Sequence, residues 1–162
     1  MVKGKDIRHK AGAIGGEGES LPRGVLFLCV HNSARSQMAE GLARAILPSS
    51  VAVWSAGSAP APSVDPRAVR VMDEAGIDIA HQRPKRISDV PLGEIDTIIT
   101  LCVEEIRVAI PGSVRSATWA LPDPAAATGS EQDVLDTFRR VRDELRERIE
   151  RLGAARTPDG VR

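Results

Sequence analysis

The sequence contains no tyrosine, and its only aromatic side chains are two phenylalanines and two tryptophans among 162 residues. Stacking platforms for nucleic-acid bases are therefore missing, and the core has to be built from Val, Leu, Ile and Ala. Net charge is missing too: 22 Lys and Arg balance 22 Asp and Glu, so no electrostatic footprint for nucleic acid exists. No apolar run reaches the roughly 18 residues that would cross a membrane, and no apolar stretch follows the charged N-terminus as in a secretory signal. A cytoplasmic protein with neither a membrane nor a nucleic-acid partner is expected. Cysteine is scarce, with Cys29 and Cys102 the only two. In a reducing compartment such cysteines are more often catalytic or redox-active than structural.

The length suits one domain with a proper core. Residues 1–23 carry five glycines, five Lys or Arg and three Asp or Glu with few apolar residues, and read as a disordered tail. The stretch Gly15-Gly16-Glu17-Gly18 faintly suggests a phosphate loop, but no strand precedes it. Residues 24–154 read as a single catalytic domain and 155–162 as a flexible C-terminal tail. Val25–Val30 is a short continuous apolar run, as in a parallel strand buried on both faces. A helical pattern follows, with Met38, Leu42, Ala45 and Ile46 on one face and an end before Pro48. Val51–Trp54 reads as a second strand, closed by Ser55-Ala56-Gly57. Asp65-Pro66 signals a helix start, with Val69, Met72 and Ala75 as its buried stripe. Residues 80–94 predict at most one short helix, Ile95–Leu101 and Arg115–Trp119 two more strands, and Leu121–Pro124 a loop. Ser130, with Asp133 three residues on, caps a last helix whose stripe is Val134, Phe138, Val141, Leu145, Ile149 and Leu152. Strands alternating with helices predict an α/β three-layer sandwich, a four-stranded parallel sheet with helices on both faces.

The segment with chemistry is Cys29-x5-Arg35-Ser36, set between the first strand and the first helix. A helix N-terminus offers unpaired N–H groups and the positive end of the helix dipole. A six-residue turn before it lets the amides of Val30, His31, Asn32, Ser33, Ala34 and Arg35 converge on one point, an anion nest. The planar fork of Arg35 can hold two oxygens of a tetrahedral oxyanion. In such a field a thiol of pKa about 8.5 falls to about 3.5–7.5, which would make Cys29 a thiolate nucleophile at neutral pH. The Ser36 hydroxyl can donate to that sulfur, and Asn32 tolerates the left-handed backbone such a loop needs.

The run Cys29-Val30-His31-Asn32-Ser33-Ala34-Arg35-Ser36-Gln37-Met38-Ala39-Glu40 strongly resembles the signature of arsenate reductases built on the low molecular weight protein tyrosine phosphatase fold. Ser55-Ala56-Gly57, Ala75-Gly76-Ile77-Asp78-Ile79, Thr100-Leu101-Cys102 and Asp123-Pro124 match as well, so the resemblance spans about residues 24–152. It implies that Cys29 attacks arsenate and that a second thiol then attacks Cys29, releasing arsenite and leaving a disulfide. Cys102 stands where the resemblance places this second thiol, and Asp123 matches the general acid, a role worth about 10²–10⁴ in rate. Both cysteines end strands of an open sheet, where ligands bind in the crevice between neighbouring strands.

The chain departs from the pattern in three places. Many relatives carry a third cysteine shortly after the second, which serves thioredoxin; here the stretch reads Val103-Glu104-Glu105-Ile106-Arg107-Val108, with Arg107 at that position. A Cys29–Cys102 disulfide reduced directly and an adduct resolved by an external thiol both stay open, with a thioredoxin, glutaredoxin/glutathione or mycothiol system as reductant and no bound cofactor. His31 replaces a residue usually small in this loop; it could tune the thiolate or point outward. Some relatives bind potassium through residues matching Asn32, Glu40 and Ser55 plus an aspartate, but Lys85 stands at that last position, so no metal is expected. The competing activity is that of a low molecular weight protein tyrosine phosphatase, with water resolving a phosphocysteine. Against it, Ala125-Ala126-Ala127 follow Asp123-Pro124, where such enzymes place aromatic side chains. A third reading is a non-catalytic oxyanion-binding or redox-sensing module.

Overall fold

The computed structural model describes Ile14 and residues 19–104, 106–110 and 112–154. Gly15-Gly16-Glu17-Gly18, most of the expected N-terminal tail and the C-terminal tail from residue 155 lie outside the described residues. Within the expected tail, Ile14 packs against the core, and the Arg23 backbone N–H donates to the Asp96 carboxylate.

Four strands, β1 (Gly24–Cys29), β2 (Ala52–Gly57), β3 (Thr97–Thr100) and β4 (Arg115–Thr118), form one sheet in the order β2-β1-β3-β4. Every pairing is parallel. Parallel pairing buries both faces, and all six residues of β1 are buried. β1 starts one residue earlier than the apolar run and stops at Cys29, so Val30 belongs to the loop. β2 continues through Ser55-Ala56-Gly57 because those residues pair in register with Phe27, Leu28 and Cys29.

The two faces are covered differently. Val25 and Phe27 share one apolar core with α1 (Arg35–Ile46), α2 (Pro66–Glu74) and α3 (Glu131–Gly153). Leu26, Leu28 and Ala56 point to a second core completed by Val90, Ile95, Ile98, Ile106 and Ile110. On that side the helical layer consists of two 3-10 turns, Ile87–Asp89 and Leu92–Glu94, in the polar stretch expected to hold at most one short helix. Proline at 84 and 91 keeps this layer short.

Two helix faces differ from the predicted stripes. In α1 the apolar side chains that are buried are Met38, Ala39, Leu42 and Ala43, while Ala45 is exposed. In α2 they are Ala68, Val71 and Met72, with Val69 and Ala75 half-buried. A helix wedged between two others buries an arc set by both neighbours, and three spaced residues in a short helix do not define it. For α3 the full predicted stripe is buried, joined by Leu135, and the Ser130–Asp133 capping box is present. Asp65 caps α2 through the Arg67 backbone N–H, with Pro66 at the first turn.

Phe138 is fully buried at the centre of the helical core. Phe138→Ala is expected to lower stability by about 3–5 kcal/mol; urea unfolding checks this, and a loss near zero would contradict the packing. At the α2–α3 contact, hydrogen bonds from Arg139, aided by Arg142, hold the Glu74 carboxyl down at about 2. A depressed carboxyl contributes stability above its unfolded value, and that contribution disappears as pH falls through the folded one. Glu74→Gln should therefore lower the melting temperature at neutral pH, by progressively less as pH falls from about 4.5, and leave it unchanged only at about pH 2 and below, as thermal scans across acid pH will show.

Candidate active site

The chain passes from β1 to β2 on one side of β1 and then to β3 on the other, so the C-terminal ends of β1 and β3 flank a topological switch point. Open α/β sheets bind ligands there. Leu28 pairs with Thr100, and the Leu101 N–H donates to the Leu28 carbonyl at 2.8 Å. The register thus sets Cys29 and Cys102 at the C-terminal ends of neighbouring strands, and both belong to the same buried cluster.

Residues 29–35 wrap the start of α1, whose N-cap residue, Ala34, provides no side-chain cap. The loop's inward-facing amides follow from where its carbonyls go. Val30 O accepts from Ala59 N at 2.8 Å, His31 O from Ala61 N at 2.9 Å and Ser33 O from Asp65 N at 2.8 Å. In a trans peptide the carbonyl and the following N–H point in opposite directions. Three carbonyls held outward by the 59–65 loop therefore turn the amides of His31, Asn32 and Ala34 inward. The Asn32 N–H confirms this, donating to Cys29 Sγ at 3.2 Å. Asn32 itself is buried at φ 48°, the left-handed conformation expected of it. Gly57 makes this clamp possible: a Cβ there would lie 2.6 Å from Val30 O and 3.0 Å from Asn32.

Each residue singled out in the sequence has a defined place. Cys29 Sγ lies 2.8 Å from the buried Ser36 Oγ. Arg35 is 7% exposed and donates through Nη1 to Leu121 O at 3.1 Å. Its Nη2 lies 4.0 Å from Asp123 Oδ2, which brings carboxylate and guanidinium together. Asp123 caps the 3-10 turn Pro124–Ala126 through Ala125 N, which aims its second oxygen at Arg35. His31 is exposed, and its Nδ1 lies 3.1 Å from Ala59 O, which adds a side-chain link to the same strap. Cys102 is wholly buried; burial pushes its thiol upward, Arg35 opposes, and Cys29 and Glu104 add to the rise.

Around Lys85 the oxygens that could face a potassium ion already face an ammonium. The Lys85 ammonium lies 3.5 Å from Glu40 Oε1, 3.5 Å from Ser55 Oγ and 3.1 Å from Arg83 O. The Glu40 carboxylate is 3% exposed and already faces both this ammonium and Arg44. Asn32 Oδ1 accepts from the Lys85 backbone N–H. The chain's own cation compensates the buried carboxylate. Arg67, which the sequence does not single out, lies on the Asp123 side of the loop. Asp65 clasps it through Nε and Nη2 and raises its pKa, it rests 4.9 Å over the Phe138 ring, and its charge reaches Asp123. No motif flags it, because the segment reads simply as the helix start Asp65-Pro66. Gly57 had a faint signal, as a glycine ending a strand beside the loop.

The sequence profile described as low molecular weight phosphotyrosine protein phosphatase matches residues 24–158. An arsenate reductase of Bacillus licheniformis is 43% identical over 130 residues, covering 79% of this chain and 93% of that protein. A solved structure described as an arsenate reductase in the phosphate binding state superposes with a TM-score of 0.69 at 34% identity, over 82% of this chain and 97% of the other. A thioredoxin-dependent arsenate reductase of Corynebacterium glutamicum gives 0.59 at 31% identity, over 82% of this chain and 63% of the other. With a cysteine at an amide-lined loop, a guanidinium and a carboxylate beside each other at its edge, and a profile match across the whole described sheet, the chain belongs to the low molecular weight phosphotyrosine protein phosphatase family.

Proposed function

We propose that this protein is an arsenate reductase in which Cys29 is the nucleophile and Cys102 the resolving thiol. The observation that carries the reading is the second buried thiol at the lip of the anion loop, across the β1–β3 boundary, a group that phosphoester hydrolysis has no use for. The arsenate reductases among the relatives support it.

Arsenate enters the loop, its oxygens taken by the amides of residues 30–35, the Ser36 side and the Arg35 fork. The Cys29 sulfur, deprotonated, attacks arsenic while Asp123 protonates a departing oxygen, so that an S–As bond forms and water leaves. Cys102, having given up its proton, attacks Cys29 Sγ. The S–S bond forms, the S–As bond breaks, and its electron pair stays on arsenic, which falls from As(V) to As(III) and leaves as arsenite. Two thiols have supplied the two electrons, and an external thiol reductant must return them. A disulfide between these residues would be buried. The segment after Cys102 follows no regular secondary structure among its described residues and exposes Val103 at 79%, which supports opening there for a thioredoxin-like protein. A small thiol such as glutathione or mycothiol is the other source of electrons, and a cytoplasmic location fits either. Among the described residues no helix is long and apolar enough to cross a membrane.

Cys29→Ser is expected to abolish arsenite release in every thiol system; arsenite formed at the wild-type rate would end the proposal. Cys102→Ser should block reduction while leaving slow hydrolysis of an aryl phosphate intact. Mass spectrometry after arsenate treatment should find Cys29 joined to Cys102. Normal arsenate turnover by Cys102→Ser would instead assign resolution to an external thiol, and phosphate ester hydrolysis alone would make the protein a phosphatase.

A further inference from the structure

Three of the carbonyls in the anion loop are held outward by backbone amides of the 59–65 strap, but the fourth, that of Asn32, is not. Its partner is a side chain: Gln37 Nε2 donates to Asn32 O at 3.0 Å, to Asn32 Oδ1 at 3.0 Å and to Arg83 O at 3.0 Å. Gln37 is wholly buried. Its other side-chain atom, Oε1, accepts from Gln82 Nε2 at 2.8 Å, and Gln82 Nε2 also reaches Gln37 O at 3.0 Å. Since Asn32 O and Arg83 O can only accept, the nitrogen of the Gln37 amide must face them, and its oxygen must face Gln82.

The polarity propagates to the sulfur. Asn32 Oδ1 faces a backbone N–H, that of Lys85, at 2.8 Å, so this atom is necessarily the acceptor. Asn32 Nδ2 then donates to Ser36 Oγ at 2.7 Å. A hydroxyl that accepts there keeps its hydrogen for Cys29 Sγ, 2.8 Å away. The direction from Asn32 to Ser36 is set by groups that have no choice of role, and it leaves the Ser36 hydrogen free to donate to Cys29.

We propose that Gln37, oriented by Gln82, is a positioning residue for the reaction: it holds the Asn32 peptide outward so that the Ser33 N–H faces the oxyanion, and it keeps Asn32 directed so that Ser36 donates to Cys29. Gln37 touches neither sulfur nor substrate and acts through Asn32. The proposal rests on Cys29 being the nucleophile, yet it does not require arsenate to be the substrate, so its test avoids arsenate altogether.

The experiment measures alkylation of Cys29 by iodoacetamide, read by the mass of the Cys29 peptide, as a function of pH and of added inorganic phosphate. Gln37→Met keeps the volume and removes the donor. It should alkylate about tenfold more slowly at neutral pH, with its profile moved to higher pH, and should need about tenfold more phosphate for protection. Gln82→Leu, at a half-buried position, should shift both readings in the same direction by less. A Gln37→Met protein that melts lower but keeps the wild-type pH profile and phosphate protection overturns the proposal, because the residue would then only pack. Should Gln37→Met fail to fold, wild-type behaviour of Gln82→Leu overturns it equally.

Discussion

An amide can face an anion only if the carbonyl behind it faces something else, and that constraint organises the molecule. Amides aimed at a single point would leave buried carbonyls unsatisfied unless partners stand outside the loop. The strap from Ala59 to Asp65 supplies three of these partners, and Gln37 supplies the next. The strap in turn depends on β2 ending beside β1 in register, with Gly57 opposite Cys29 and too small to push the loop away. The loop is therefore shaped from outside, by Gln37 just beyond it and by residues well downstream in sequence.

The same economy governs charge. A buried carboxylate at Glu40 would be costly alone, and Lys85, from the segment that runs beside β2, brings an ammonium to it while its backbone N–H fixes Asn32. One residue thus compensates a charge and sets a hydrogen-bond direction. On the opposite lip, Asp123 works at the start of a short turn that leaves one oxygen for the cap and one for Arg35.

The two thiols live in different surroundings although they are close. Cys29 faces donors: the Asn32 amide and the Ser36 hydroxyl. Cys102 faces apolar neighbours and a carbonyl, that of Glu104 at 3.6 Å, and burial keeps its proton on. That division suits a nucleophile that acts first and a partner that acts second. Parallel pairing of β1 with β3 brings together two residues 73 positions apart.

Much was legible in the chain because it is locally encoded. The apolar run of β1, the Ser130 cap and stripe of α3, the Asp65-Pro66 helix start and the Cys29-x5-Arg35 loop each depend on neighbours within a few residues, where propensity and periodicity act. The left-handed turn at Asn32 and the Cys29–Ser36 contact were of the same kind. What the sequence could not determine were arrangements that need two distant segments at once: which arc of α1 and α2 is buried, the 3-10 layer over the second core, the seating of Arg67 over Phe138, the reach of Gln37 to Arg83 and the outward anchoring of the loop by Gly57 and the 59–65 strap. Local order follows from steric preference along the chain, whereas these features follow from strand register and from the requirement that each buried polar atom find a partner, which only the packed structure can satisfy.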